Sequence, residues 1–168
     1  MFYLLLGISS FLGALGHTLF MYFNMYGKMP SWVLACAANV CAGFGMLKYD
    51  QEISVRNPLV HLTWIKSAGL LIASLVIQKF VFVAVDAIVS YILFTGIYAL
   101  KLKKNGIESM KFMALGVLVM LPSAFVFLFK WSPFRWLNKD DISHLLILAG
   151  IFCFYLALKK GINQLKLA

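Results

Sequence analysis

Long apolar runs separated by short polar stretches occupy almost the whole chain. Each run is near the roughly 20 residues that a helix needs to cross a ~30 Å hydrocarbon layer. Lipid offers no partners to backbone N–H and C=O groups, so such runs fold as internally bonded helices. The sequence therefore predicts an all-α, polytopic integral membrane bundle of about six transmembrane helices, with residues 1–168 as a single transmembrane domain. The predicted spans are about residues 2–23, 31–47, 59–78, 81–101, 111–130 and 142–159.

Composition supports the same class of protein. The chain is 62% hydrophobic and only 12% charged, whereas soluble domains are nearer half apolar and a quarter charged. The net charge of +9 comes from basic residues in the loops and at the C-terminus. Membrane lipids are the expected partners of such residues, and a lipid-like small molecule is a further candidate. Nucleic acid is not expected.

The loop charges predict the orientation. With six spans, nine Lys and Arg residues fall on the side that holds both termini and five on the other. The positive-inside rule then places the N- and C-termini in the cytoplasm. We expect the membrane to be the bacterial inner (cell) membrane.

The boundary between the third and fourth helices has two candidate positions, Gln78-Lys79 and Val85-Asp86. We prefer Gln78-Lys79, because an amide and an ammonium suit a membrane interface better than a valine does. Asp86 then lies about 9 Å inside the fourth helix at 1.5 Å per residue. On the other choice Asp86 caps that helix at the surface.

Ionisable side chains inside membrane spans are costly and are functional candidates by default. His17 is one, and with Ser10 and Gly13 it forms a small, polar stripe that we expect to pack against other helices. The alternative is a structural histidine bonded to a backbone carbonyl. Lys66 and Asn39 we interpret as packing or interface residues, with Lys66 reaching the headgroups from the end of its helix.

The last helix opens with Asp140, Asp141 and His144. Asp140 and His144 are four residues apart and therefore project from one face. Carboxylates in a first turn are also favoured by the helix dipole and by capping, with no chemistry required. The sequence leaves both interpretations open for the carboxylates, as it does for Asp86, whose face also carries Ser90.

On the predicted topology these groups share the outer half of one bundle. Two histidines with a carboxylate can hold a catalytic zinc and leave a position for water, whose pKa the metal lowers. The predicted metal ligands are His17, His144, Asp86 and Asp140, and the predicted catalytic carboxylates are Asp86, Asp140 and Asp141.

The order of these residues resembles the CREST superfamily, which contains the alkaline ceramidases and the progestin and adipoQ receptors. Its pattern is Ser-x-x-x-His in an early helix, then an Asp, then His-x-x-x-His in the last of seven helices. His17 matches the early histidine with Gly13 at the serine position, Asp86 matches the aspartate, and His144 matches the last histidine with Asp140 as its partner. The resemblance implies a zinc-dependent, membrane-embedded hydrolase of a lipid-like amide or ester.

Two other functions are compatible with the same residues. The first is a non-catalytic membrane protein that binds a lipid or small molecule, carries a solute, or joins an assembly. The second is a haem protein, with His17 and His144 as axial ligands and Arg135 or Lys139 near the propionates.

Overall fold

The computed structural model describes residues 1–49, 53–132, 136 and 138–165, and Arg135 and Lys166 lie outside them. Within these residues every regular element is a helix, so the predicted all-α class is confirmed. The chain forms two compact units, Met1–Phe94 and Thr95–Ala168, each described by itself below.

The helices follow the apolar runs. The first unit contains α1 (Phe2–Thr18), α2 (Phe20–Phe23), a 3₁₀ turn (Asn24–Lys28), α3 (Met29–Leu47), α4 (Ile53–Ile77) and α5 (Val81–Val89). A π-helical segment, Ser90–Ile97, continues α5 across the division between the units. The second unit contains α6 (Tyr98–Lys104), α7 (Met110–Leu128) and α8 (Lys139–Leu165).

Five helical stretches of the described chain are long and apolar enough to cross a membrane: Asn24–Leu47, Ser54–Ile77, Val81–Lys104, Met110–Phe127 and Lys139–Gly161. The first predicted span, 2–23, is interrupted, because α1 ends at Thr18 and leaves a shorter apolar helix, Phe2–Thr18. Asn24 has a φ of 50° in the turn that follows.

The predicted start of the third span at residue 59 is wrong. Helix α4 begins at Ile53 and contains Pro58. Pro58 is the sixth residue of α4, so it lies past the first turn, and the helix lacks the hydrogen bond that an N–H at this position would donate to the Ser54 carbonyl. Asn57-Pro58, a turn-like pair that favours a helix start at about residue 59, therefore lies inside the helix, and α4 is 25 residues long.

The predicted connection at Gln78-Lys79 is confirmed. Helix α4 ends at Ile77 and α5 begins at Val81. Gln78 lies between them with a φ of 56°, in the left-handed region. Beyond this turn α3, α4 and α5 share an apolar core built on Trp32, Cys36 and Val83.

The small residues of α1 determine how it packs. Ser9 and Gly16 are buried, and Ser9 Oγ donates to the Ser31 carbonyl at 2.8 Å. A Cβ added at Gly16 would lie 2.5 Å from the Gly27 carbonyl oxygen, so the backbones approach closely there. Of the predicted packing stripe, Gly13 lies against Ser31, since a Cβ added to it would be 3.7 Å from the Ser31 side chain, whereas Ser10 is exposed and bonds the carbonyl of Leu6 in its own helix.

The second unit is built on close contact between α7 and α8. A Cβ on Gly116 would lie 2.7 Å from the Gly150 carbonyl oxygen, and a Cβ on Gly150 would lie 2.8 Å from that of Gly116. Phe154 and Ala157 of α8 are buried. Two glycines facing each other allow the helix backbones to approach more closely than larger residues would.

Candidate functional site: a buried lysine–aspartate pair

Asp86 is the centre of a polar network inside the first unit. It lies in the second turn of α5 and its side chain is 0% exposed. Its Oδ1 accepts hydrogen bonds from Lys66 Nζ and from Ser67 Oγ, the latter at 2.7 Å. Its Oδ2 accepts from Asn39 Nδ2 at 2.9 Å. Three helices, α3, α4 and α5, thus each contribute polar groups to one site.

Lys66 supplies the cation, and its ammonium group is surrounded by oxygen atoms. Besides the Asp86 carboxylate, three oxygens lie within hydrogen-bond distance of Nζ: Ser67 Oγ at 3.1 Å, Ser90 Oγ at 2.9 Å and the Asp86 backbone carbonyl at 3.3 Å. The three N–H groups of the ammonium are shared among these four acceptors. The Lys66 side chain is 12% exposed. One carboxylate, two hydroxyls and one carbonyl therefore form a four-oxygen cage around the ammonium.

The interpretation of Lys66 as an interface residue is wrong. The residue lies near the middle of the 25-residue α4, about 16 Å from Ile77 at 1.5 Å per residue. At that depth it pairs with a carboxylate on the next helix instead of reaching the headgroups. Asn39, also interpreted as a packing residue, is 2% exposed and donates to the same carboxylate.

The helix changes its geometry at this site. Helix α5 becomes π-helical at Ser90, four residues after Asp86, and remains so to Ile97. The prediction that Asp86 and Ser90 share a face is confirmed, since both contact Lys66. Helices of the π type are rare and are often found at functional sites.

Burying the Lys66–Asp86 pair at this position costs free energy. Removing two charges from water costs several kcal/mol per ion, and only good geometry with further hydrogen bonds offsets that cost. Here both charges have such bonds. Intramembrane charges that are paired in this way commonly mark ion or substrate pathways.

The hydrogen bonds described for the Asp86 carboxylate come from α3 and α4, whereas His17 lies on α1. Its side chain lies on the exposed side of α1, whereas Asp86 is fully buried. The predicted ligand role of His17 stays a prediction.

The carboxylates that open α8 have local partners. Asn138 Oδ1 accepts from the backbone N–H groups of Asp140 at 2.8 Å and Asp141 at 3.1 Å. Asp141 Oδ2 accepts in return from the Asn138 N–H at 3.1 Å, which forms a capping box. Asp140 pairs with Lys139 Nζ at 2.6 Å. The capping interpretation therefore accounts for these contacts.

His144 lies on an exposed part of α8. Within the part of the chain that the structure describes, no group of three or more His, Cys, Asp or Glu side chains could hold a metal ion. Zinc binding, hydrolase activity, the CREST resemblance and haem binding stay predictions.

The fold and the site define a class: the chain is an all-α integral membrane protein with a buried charge pair in its first unit. It belongs to DUF6962, a family of unknown function, whose profile matches residues 1–163. Comparison with curated proteins gives no match, and comparison with solved structures gives none.

Proposed function

We propose that the protein is a cation-linked membrane carrier whose coupling site is the Lys66–Asp86 pair. The observation that supports this proposal is the oxygen cage around the lysine ammonium. Carboxylate, hydroxyl and carbonyl oxygens are the ligands of hard cations, and carriers bind coupling ions through such groups near the bilayer midplane. The ammonium of Lys66 occupies the place that a transported monovalent cation or substrate amine would take.

The cage suits exchange because its oxygens belong to different helices. Lys66 and Ser67 are on α4, whereas Asp86 and Ser90 are on α5 and its π-helical continuation. An incoming cation satisfies the Asp86 carboxylate when the lysine leaves it. This step separates α4 from α5. A movement of these two helices relative to each other would also open the site to one side of the membrane and then to the other.

Chemical rescue tests the cage directly. Lys66→Ala removes the ammonium and leaves the carboxylate with neutral donors, among them Ser67 and Asn39. Ammonium or methylammonium ions should raise the thermal midpoint of this variant in detergent, because a ligand of the native state stabilises it by about 1.4 kcal/mol at ten times its Kd. Tetramethylammonium has no N–H donor and serves as the size and charge control. A matched variant, Lys79→Ala, changes an exposed lysine and should show no rescue.

Transport is the second test. Proteoliposomes of the wild type should take up at least one of Na⁺, Rb⁺, H⁺ or methylammonium with saturation. Asp86→Asn should lower that uptake at least tenfold, whereas Lys79→Ala should leave it unchanged. Saturable uptake that survives in folded Asp86→Asn, or its absence for all four cations in the wild type, would contradict the proposal.

A further inference from the structure

We propose that a groove on the second unit binds an anionic phospholipid. The groove has a volume of about 380 Å³ and runs along α6 and α7. This inference concerns residues other than the Lys66–Asp86 pair and does not depend on the carrier proposal.

The groove has one charged end and one apolar end. Helices α6 and α7 are joined by the short connection at 105–109, and Lys103 and Lys111 line the groove on either side of it. Leu100 on α6 and Leu118 on α7 line it farther from the connection. Leu118 lies about 10 Å along the helix from Lys111 at 1.5 Å per residue.

This arrangement matches the order of groups in a phospholipid. A phosphate between Lys103 and Lys111 would lie at the membrane surface. An acyl chain along Leu115 and Leu118, which are 47% and 64% exposed, would cover apolar side chains. The ~10 Å from Lys111 to Leu118 along α7 is about two thirds of the ~15 Å thickness of one leaflet, which is half of a ~30 Å hydrocarbon layer.

Two lysine ammonium groups lie near the aromatic ring that lines the groove. Phe112 lines the groove, and Lys111 Nζ lies 5.7 Å and Lys160 Nζ 4.4 Å from its ring centroid. The connection carries one carboxylate, Glu108, which is exposed. Positive charge exceeds negative charge here, and clusters of this kind beside a membrane helix bind anionic lipid headgroups.

Native mass spectrometry of the full-length protein in detergent tests the site with two probes of equal acyl chains, phosphatidylglycerol and phosphatidylcholine. A lysine near an anionic headgroup is worth about fivefold in affinity, so the two groove lysines should give roughly a thirtyfold preference for phosphatidylglycerol. The variant Lys103→Gln/Lys111→Gln should reduce that preference to about fivefold or less, the contribution that Lys160 can still make. The matched control Lys48→Gln/Lys159→Gln removes the same charge outside the groove and should retain the preference.

A variant of the apolar wall tests the acyl-chain contact separately. Leu118→Trp fills the groove without changing charge, and it should reduce the binding of both lipids at least fivefold. Equal loss of preference in the two double-lysine variants would overturn the proposal, since it would indicate a general charge effect. Displacement of phosphatidylglycerol by millimolar inorganic phosphate, with Leu118→Trp unchanged, would overturn it in favour of a phosphate site.

Discussion

Removing Lys66 should destabilise the protein more than neutralising Asp86, and the structure gives the reason. In Lys66→Met the carboxylate of Asp86 stays fully buried with neutral donors in place of the cation, among them Ser67 and Asn39. Breaking a buried pair by removing one partner costs about 3–5 kcal/mol. In Asp86→Asn the ammonium keeps two hydroxyl oxygens, a backbone carbonyl and the new amide oxygen. We therefore expect that change to cost only about 1.5–3 kcal/mol, the range for a hydrogen bond to a charged group.

The double variant Lys66→Met/Asp86→Asn completes the cycle. With the carboxylate gone no charge remains to be compensated, so the double variant should be about as stable as Asp86→Asn alone. The coupling energy then equals the cost of Lys66→Met, about 3–5 kcal/mol, which is at or above the top of the roughly 0.5–3 kcal/mol measured for residues in contact. Reversible unfolding in mixed micelles, followed by intrinsic tryptophan fluorescence, to which buried Trp32 contributes, measures these free energies.

The control for this cycle is Lys79→Met, which makes the same substitution at an exposed lysine and should stay within about 0.5 kcal/mol of the wild type. Additive effects of the two single substitutions would refute the reasoning, because they would show that the two side chains do not interact. So would a Lys66→Met variant as stable as the Lys79→Met control.

Three further changes have expected outcomes. Gly116→Ala should lower the stability in the same micelle assay by about 1–3 kcal/mol through overpacking, because the added Cβ would lie 2.7 Å from a backbone oxygen. The control Gly69→Ala adds a Cβ with nothing within 4 Å and should be neutral or stabilising. Asn138→Ala should lower stability by about 0.5–2 kcal/mol, since it removes the cap of α8, and hydrogen exchange in the first turn of that helix should rise. The zinc prediction requires about one zinc per chain. Elemental analysis of protein purified without a metal-affinity tag should then show that His17→Ala and His144→Ala both lose it.

The fold could be predicted from the sequence because membrane spans follow from apolar length alone. The turn at Gln78 was predicted because polar side chains interrupt a run too long for one span. The boundaries that failed are those where local chemistry overrides composition. Pro58 is accommodated inside α4, and the break after Thr18 occurs within an apolar run that carries no break signal.

Of the two charged residues of the site, Asp86 was identified from the sequence and Lys66 was missed. Asp86 could be found because the preferred turn at Gln78-Lys79 places its carboxylate inside a membrane span, where an ionised side chain is costly. Lys66 was misplaced because the predicted start of α4 put it near a helix end, where lysines reach the headgroups. With the true start at Ile53 the same residue lies too deep for that explanation. A lysine at depth in one span and an aspartate at depth in the next is the signal that could have identified the pair.

The surroundings of the carboxylates distinguish a site from a structural feature. Asp141 caps a helix start and is exposed, so its carboxylate stays in contact with solvent and helix formation alone explains it. Asp86 caps nothing, since it lies in the second turn of α5 and has no exposed surface. Apolar side chains of similar volume would hold α4 and α5 together at no loss of stability, because buried ion pairs rarely exceed such packing. The observed arrangement instead uses Ser67, Ser90 and Asn39 to keep two opposite charges in place. Burying two charges at this cost in free energy is expected where the charges must later separate, as they do when a carrier exchanges one cation for another.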